Sequence, residues 1–317
     1  METMNSFDTI VVITPPDLLR IWTNFIRVVR WLPGRRIILV GSEDVGKILD
    51  EWGYDESRVS FINEDNIIPF DTVHAVMAGK MEPLLKGREL PRGVTGWYYQ
   101  QFLKMEYSRL CEDEYYMSWD GDTVPCKGFS MFNESGIPYL DYKHEYNELY
   151  FKTMGTLIPG LKKFIDASFI SEHMLFKCDI MKRLISKIEG NGDLAGSRFY
   201  EKIIESIPLE DIQDNGFSEF ETYGSFVCLT SPQAYRLREW HSFRLAGEFF
   251  DPEKISDEDY EWLSRDFEAV SFEKGMTVRE DHKNLFDNKE YQSKLSARQM
   301  LEIAQEEFDD GYMEVWQ

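Results

Sequence analysis

The segment Tyr115–Pro125 reads YYMSWDGDTVP: an apolar run that ends in Asp120-Gly121-Asp122. Two carboxylates at the end of a strand, with a glycine between them to let the backbone turn, suit a hard divalent cation that prefers oxygen ligands. In open α/β sheets the carboxyl ends of the strands are where ligands bind. Mn²⁺ or Mg²⁺ held by Asp120 and Asp122 would bridge to phosphate oxygens and neutralise a diphosphate as it leaves. A second Asp-x-Asp, Asp257-Glu258-Asp259, follows Ser256 with no strand before it. It is expected to be the first turn of a helix, where carboxylates complement the macrodipole.

The preceding segment, GWYYQQFLKMEYSRL (Gly96–Leu110), has helical periodicity. At 3.6 residues per turn Trp97, Gln101, Lys104 and Ser108 share one stripe, and Tyr99, Phe102, Leu103 and Leu110 fall on roughly the opposite side. An indole, an amide and an ammonium in line can hold a sugar ring and a phosphate charge, whereas the apolar side packs on a sheet. Glu106 falls among the apolar positions without an evident reason.

The elements that must position these groups follow an alternating pattern. Residues 7–14 form an apolar run closed by Pro15-Pro16, and Asp17 is expected to cap a helix whose apolar positions run from Leu18 to Leu32. Ile37–Val40, a helix from Asp44 to Trp52, and Val59–Asn63 come next. Strand, helix, strand, helix, strand is the pattern of a parallel sheet covered by helices, so the fold class is α/β. Ser171 is expected to open a helix carrying Met174, Cys178, Met181, Ile185 and Ile188 on one face. Residues 246–317 are acidic and are expected to form a helical extension, with helices starting at Ser256 and at Ser296, where Gln299 completes a capping box. The main domain is then 1–245, with a nucleotide-binding half of about 1–125 and an acceptor half of about 126–245.

The bulk properties narrow the partners. The 317 residues carry a formal charge of −22, which repels phosphate backbones and argues against nucleic-acid binding. An anionic donor therefore needs a local cation. Four cysteines lie far apart with no C-x-x-C pair, which points to a reduced, cytoplasmic setting. The N-terminal segment lacks a basic flank and a small-residue cleavage site, and no apolar run reaches the roughly 18–20 residues that span a bilayer. Arg20, Arg27, Arg30, Arg35 and Arg36 form a basic, aromatic-rich stretch suited to peripheral contact with an anionic membrane face, or to a solvated helix face. Neither a G-x-G-x-x-G fingerprint nor a Walker loop is present.

Gly96-Trp97-Tyr-Tyr-Gln100-Gln101-Phe-Leu-Lys104 followed by Ser118-Trp119-Asp120-Gly-Asp122-Thr-Val-Pro125 resembles the signature of a bacterial glycosyltransferase-like family. Ser168–Phe176 and Phe217–Gly224 are similar to its later segments, and the resemblance spans about residues 5–245. It implies a GT-A (Rossmann-like nucleotide-diphospho-sugar transferase) fold and a sugar moved from a nucleotide donor, UDP-sugar favoured. The acceptor would be a glycan or lipid-linked molecule, in surface polysaccharide synthesis. It also implies a metal at Asp122, with Asp120 towards the metal or the ribose. By position in that fold, Thr14, Asp17, Gly41 and Ser42 meet the nucleotide, and Trp97, Gln101 and Lys104 the donor's sugar and phosphates. A late histidine, His241, is a candidate third metal ligand. Inverting transfer needs a general base. Glu219 is the first candidate; Glu221 also satisfies a capping box with Ser218, and Glu172 and His173 are the alternatives. Two rival readings are a GT-A module that binds without turnover and a haloacid-dehalogenase-like phosphatase using Asp120 as nucleophile.

Overall fold

The computed structural model describes residues 6–144, 146–213, 215–279, 286 and 288–307. A five-stranded sheet lies at its centre: β1 (Asp8–Val12), β2 (Ile37–Gly41), β3 (Val59–Asn63), β4 (Tyr115–Asp120) and β7 (His173–Lys177), in the order β3-β2-β1-β4-β7. The first four run parallel and β7 is antiparallel to β4. The order 3-2-1-4 is that of a Rossmann half-sheet, so the expected α/β class is present.

Strand residues alternate between the two faces, as a period of two requires. Ile10, Ile38, Tyr116 and Phe176 pack into one core with α4 (Phe70–Leu85), α5 (Arg92–Glu106), α7 (Cys178–Glu189), α8 (Phe199–Ser206) and α9 (Glu219–Thr230). Val11, Leu39, Met117, Trp119 and Leu175 pack into the other with α1 (Pro15–Ile21), α2 (Phe25–Trp31) and α3 (Glu43–Trp52). That second core also contains Phe249, Phe250, Tyr260, Trp262, Phe267 and Val270.

The residues after 245, expected as a helical extension, contribute to this core. The later residues supply β9 (Ser242–Phe243), α10 (Asp257–Leu263) and β10 (Ala269–Ser271), and β10 pairs with β5 (Thr123–Pro125) directly after the aspartate pair. Large apolar side chains in this region need a partner surface, and the helices over the sheet provide it. The two caps expected there do form: Ser256 with Asp259, and Ser296 with Gln299.

Three local expectations change. Thr14, not Asp17, is the N-cap of α1, with Pro15 and Pro16 in its first turn. The long helix over 17–32 is split by a 3-10 turn at Trp22–Asn24. Ser171 does not start a helix: 173–177 is the edge strand β7 and the helix begins at Cys178. Met174, which fitted the helical stripe, instead faces the core from a strand. A short apolar run fits either period, and pairing with β4 decides it.

Candidate functional site

The aspartates sit where the end of β4 meets the end of β1, with Val12 paired to Asp120. Gly121 is required there, because a Cβ would lie 2.8 Å from the Val12 carbonyl oxygen. Gly41, at the end of β2, is confined in the same way, its Cβ 2.5 Å from the Ile13 carbonyl oxygen. These two glycines let three chain segments converge around the tip of β1.

Two cavities open at this end of the sheet. The first, about 490 Å³, is lined by Thr14, Asp17, Ser42, Glu64, Phe70, Arg92, Trp97 and Tyr99 among others. The second, about 430 Å³, is lined by Asp17, Trp97, Asp120, Gly121, Asp122, Glu172, Arg244, Ser271 and Glu273 among others. Val12, Asp17, Trp97, Gln100 and Lys274 belong to both. A larger cavity of about 1010 Å³ lies elsewhere, between Phe7, Gly34, Arg35 and the loop 129–136. It opens at the amino ends of β1 and β2, away from the aspartates.

Beneath Asp120, Lys104 donates to Asp120 Oδ1 at 2.7 Å and to Glu219 Oε1 at 2.8 Å. Lys104 and Glu219 are buried. Burial alone would lower the pKa of the Lys104 ammonium, but the two carboxylates outweigh it and raise that pKa. Glu219 is pushed up by its burial, with Lys104 opposing. Gln101 is a strut in this layer: its Nε2 donates to the Trp97 carbonyl and its Oε1 accepts from Glu219 N at the start of α9.

Asp122 is half-buried, and its carboxyl is pushed up to about 7, by burial first and then by the charges of Asp120, Glu273 and Asp17. Such crowding of hard oxygen donors suits a divalent cation. Among the described residues no group of three or more His, Cys, Asp or Glu side chains is gathered for one. A cation here would complete its shell with diphosphate oxygens and water, as Mg²⁺ commonly does. His241 was the candidate third ligand. It lies beside the Ser242–Ala269 end of the β9–β10 pair, accepts from Glu268 N through its carbonyl, and lines neither cavity.

Of the four candidate bases, only Glu172 lines the second cavity. Its backbone has φ 60°, in the left-handed region, and its carbonyl accepts from Asp120 N at 2.8 Å. Lys143 donates to its Oε1 at 2.8 Å, Ser242 to its Oε2 at 2.7 Å, and Arg244 lies 3.7 Å away. Burial disfavours its charge, but Lys143 and Arg244 prevail and hold its pKa low. Glu221 is a buried anchor that accepts from Ser168 Oγ and Phe169 N. Its amide bonds to the Ser218 side chain, so half of the expected capping box is present. His173 is buried, with Nε2 2.8 Å from Asp141 Oδ2 and a ring packed against Trp240.

The donor-side expectations divide similarly. Thr14, Asp17, Ser42 and Trp97 line the cavities; Gly41 lines neither; Gln101 and Lys104 are buried below. Gln100, about 100° round the helix from Gln101, is the amide that faces both cavities. Glu106 is explained by two arginines, Arg109 at 3.1 Å and Arg198 at 2.9 Å. Leu110, expected on the sheet, is 51% exposed because it follows the last helical turn.

Sequence reasoning missed Lys143, Arg244, Ser271, Glu273 and Lys274. Ser271 ends a short apolar strand, and Glu273 and Lys274 follow it before Gly275, the same strand-then-turn pattern that marked Asp120. Of the basic stretch, Arg20, Arg27, Arg35 and Arg36 are committed to Asp17, Asp257, Asp8 and Asp113. Among the described residues no helix is long and apolar enough to cross a membrane.

Residues 5–287 match a family described as a family of unknown function, DUF6492. No curated protein matches the chain by sequence. The chain is similar to the solved structure of the galactosyltransferase LgtC in complex with donor and acceptor sugar analogues: 11% identity, TM-score 0.41, covering 91% of this chain and 100% of that one. It is also similar to the mannosyltransferase Ktr4p from S. cerevisiae, with 12% identity, TM-score 0.39 and coverage of 68% and 67%. A third similar structure is the apo form of the glycosyltransferase GlyE in Streptococcus pneumoniae TIGR4, with 11% identity, TM-score 0.37 and coverage of 96% and 64%.

Proposed function

The chain belongs to the family of unknown function DUF6492, and we propose that it is a GT-A glycosyltransferase using a nucleoside-diphosphate sugar and a divalent metal. The observation that carries this reading is the pair of adjoining cavities at the carboxyl ends of β1, β2 and β4, joined through Asp17, Trp97, Gln100 and Lys274. A nucleoside in the first and a sugar in the second would set the diphosphate across the shared edge, beside Lys274 and the aspartates.

In this reading Asp122, with Asp120 beside it, holds Mn²⁺ or Mg²⁺, which neutralises the departing diphosphate when bound. Lys104 and Glu219 act beneath the cavity: they fix the rotamer of Asp120 and keep its charge from collapsing onto its neighbours. Lys274, exposed at the shared edge, is a further cation for the phosphates. The acceptor hydroxyl, from a glycan or lipid-linked glycan, approaches from the Glu172 side. Glu172 is held ionised by Lys143 and Arg244, so it orients that hydroxyl as an acceptor and is a weak base. Glu219, the base expected from the sequence, is buried under Lys104 and reaches the hydroxyl only if the layer above it moves.

That weak basicity also favours a second reading, a module that binds the donor without transferring it. Donor hydrolysis in Mn²⁺ separates the two: turnover of any nucleotide sugar excludes the module. For the primary reading, calorimetry on Asp122→Ala should show metal-dependent donor affinity reduced by roughly 100-fold or more, at least the loss seen for residues that merely orient metal ligands. Unchanged affinity would remove the metal role.

A further inference from the structure

Resting on the donor reading above, a more specific recognition follows from the part of the first cavity that the second does not share. Glu64 opens the 3-10 turn after β3 and lines this cavity, its side chain 13% exposed. Arg92, at the start of α5, donates to its Oε1 at 3.3 Å. A carboxylate accepts about four hydrogen bonds. Among the described residues Arg92 is the hydrogen-bond partner that Glu64 has, so most of its accepting capacity is open to the cavity. Burial raises its pKa, with Arg92 opposing, as for a carboxylate short of donors. The Arg92 guanidinium is itself held flat, 3.5 Å over the Phe70 ring, and is 64% exposed, with donors to spare. Pro15, Pro16, Trp97 and Tyr99 complete apolar walls suited to a flat ring.

The result is two acceptor oxygens side by side next to a donor fork. Guanine presents the matching edge: two adjacent donors, N1–H and N2–H₂, beside the O6 acceptor. Uracil has one donor between two carbonyl oxygens, and its O2 would face the second carboxylate oxygen. Cytosine has one donor and two acceptors, and adenine one of each. We infer that the donor nucleotide is guanosine diphosphate, its base read by Glu64 and Arg92. This replaces the uridine nucleotide favoured from the sequence. Placing the base here leaves the diphosphate at the edge shared with the aspartates.

The test is calorimetric titration of the full chain in Mn²⁺ with GDP, IDP, UDP, CDP and ADP. GDP should bind about tenfold or more tightly than UDP, because a hydrogen bond to a charged group is lost. IDP, which lacks the N2 amino group, should fall between them. Glu64→Gln, which offers one acceptor and one donor, should bring the GDP-to-UDP ratio near one, with its unliganded melting temperature checking the fold. Arg92→Ala, an exposed side chain, should lower the same ratio independently. UDP or CDP binding at least as tightly as GDP overturns the inference and leaves the donor reading standing. So does a GDP preference that survives both variants. Equal affinities for GDP, UDP and ADP, falling together in Glu64→Gln, would mean that the carboxylate holds the ribose diol, and the inference fails. If no nucleoside diphosphate binds, the donor reading fails along with it.

Discussion

Two buried lysine–carboxylate clusters flank the aspartate pair, and they differ in one respect. Beneath β4 a single ammonium, Lys104, serves two carboxylates, Asp120 and Glu219. Beside β7 a single carboxylate, Glu172, is served by Lys143, Arg244 and the Ser242 hydroxyl. Each centres on a lysine and a buried glutamate, yet Glu219 is pushed up and Glu172 down. Burial opposes both charges, and the number of cations per carboxylate decides the direction of each shift. The first cluster is therefore short of positive charge and the second is not. A ligand-borne cation has a reason to bind near the first.

The comparison is broken most directly at the lysines. Lys104→Met leaves the buried Glu219 and the half-buried Asp120 without a cation and should cost about 3–5 kcal/mol in urea unfolding at neutral pH. Lys143→Met leaves Arg244 and Ser242 in place, so its cost should be nearer about 1–3 kcal/mol, that of a lost buried bond. Equal losses would mean that the two clusters are not different in kind.

A finer probe is pH. Glu219, with its pKa raised in the fold, contributes stability that is present below the unfolded value of about 4.3 and lost as pH rises through the folded value. Glu172, with its pKa lowered, contributes stability present above that unfolded value and lost as pH falls through the folded one. Glu219→Gln should thus gain relative to the parent as pH rises above about 4, whereas Glu172→Gln should be most costly at neutral pH and less so as pH falls below about 4. Thermal melts of both variants across that range should have opposite slopes; parallel slopes would remove the charge-count argument.

The smallest effect is expected at His241. His241→Ala should change stability by no more than about 0.5 kcal/mol and leave Mn²⁺-dependent donor binding intact, as for a residue outside both cavities. A loss of metal affinity would restore it as a ligand.

Much of this was legible along the chain because it is local. The apolar runs, the glycine between Asp120 and Asp122, the helix carrying Trp97 and Lys104, and the caps at Ser256 and Ser296 all act over a few residues, where periodicity and capping chemistry suffice. The stripe that Trp97 and Lys104 share is a local property of one helix. Gln100 was passed over for Gln101 because periodicity alone does not say which side of a doubly buried helix meets a cavity. The segment 171–177 went astray for a related reason: its helical stripe competes with an edge-strand pairing that only β4 supplies.

Sequence alone determined the α/β alternation, the aspartate pair and its place at a strand tip, since each depends on neighbours in the chain. Tertiary structure decided which side chains share the pair's surroundings. Glu172, Arg244, Glu273 and Lys274 reach the site through β7, β9 and β10, from up to about 150 residues away, and Glu219 is withdrawn beneath it. A buried group's charge depends on what surrounds it in space, and that count is fixed only when distant strands pair.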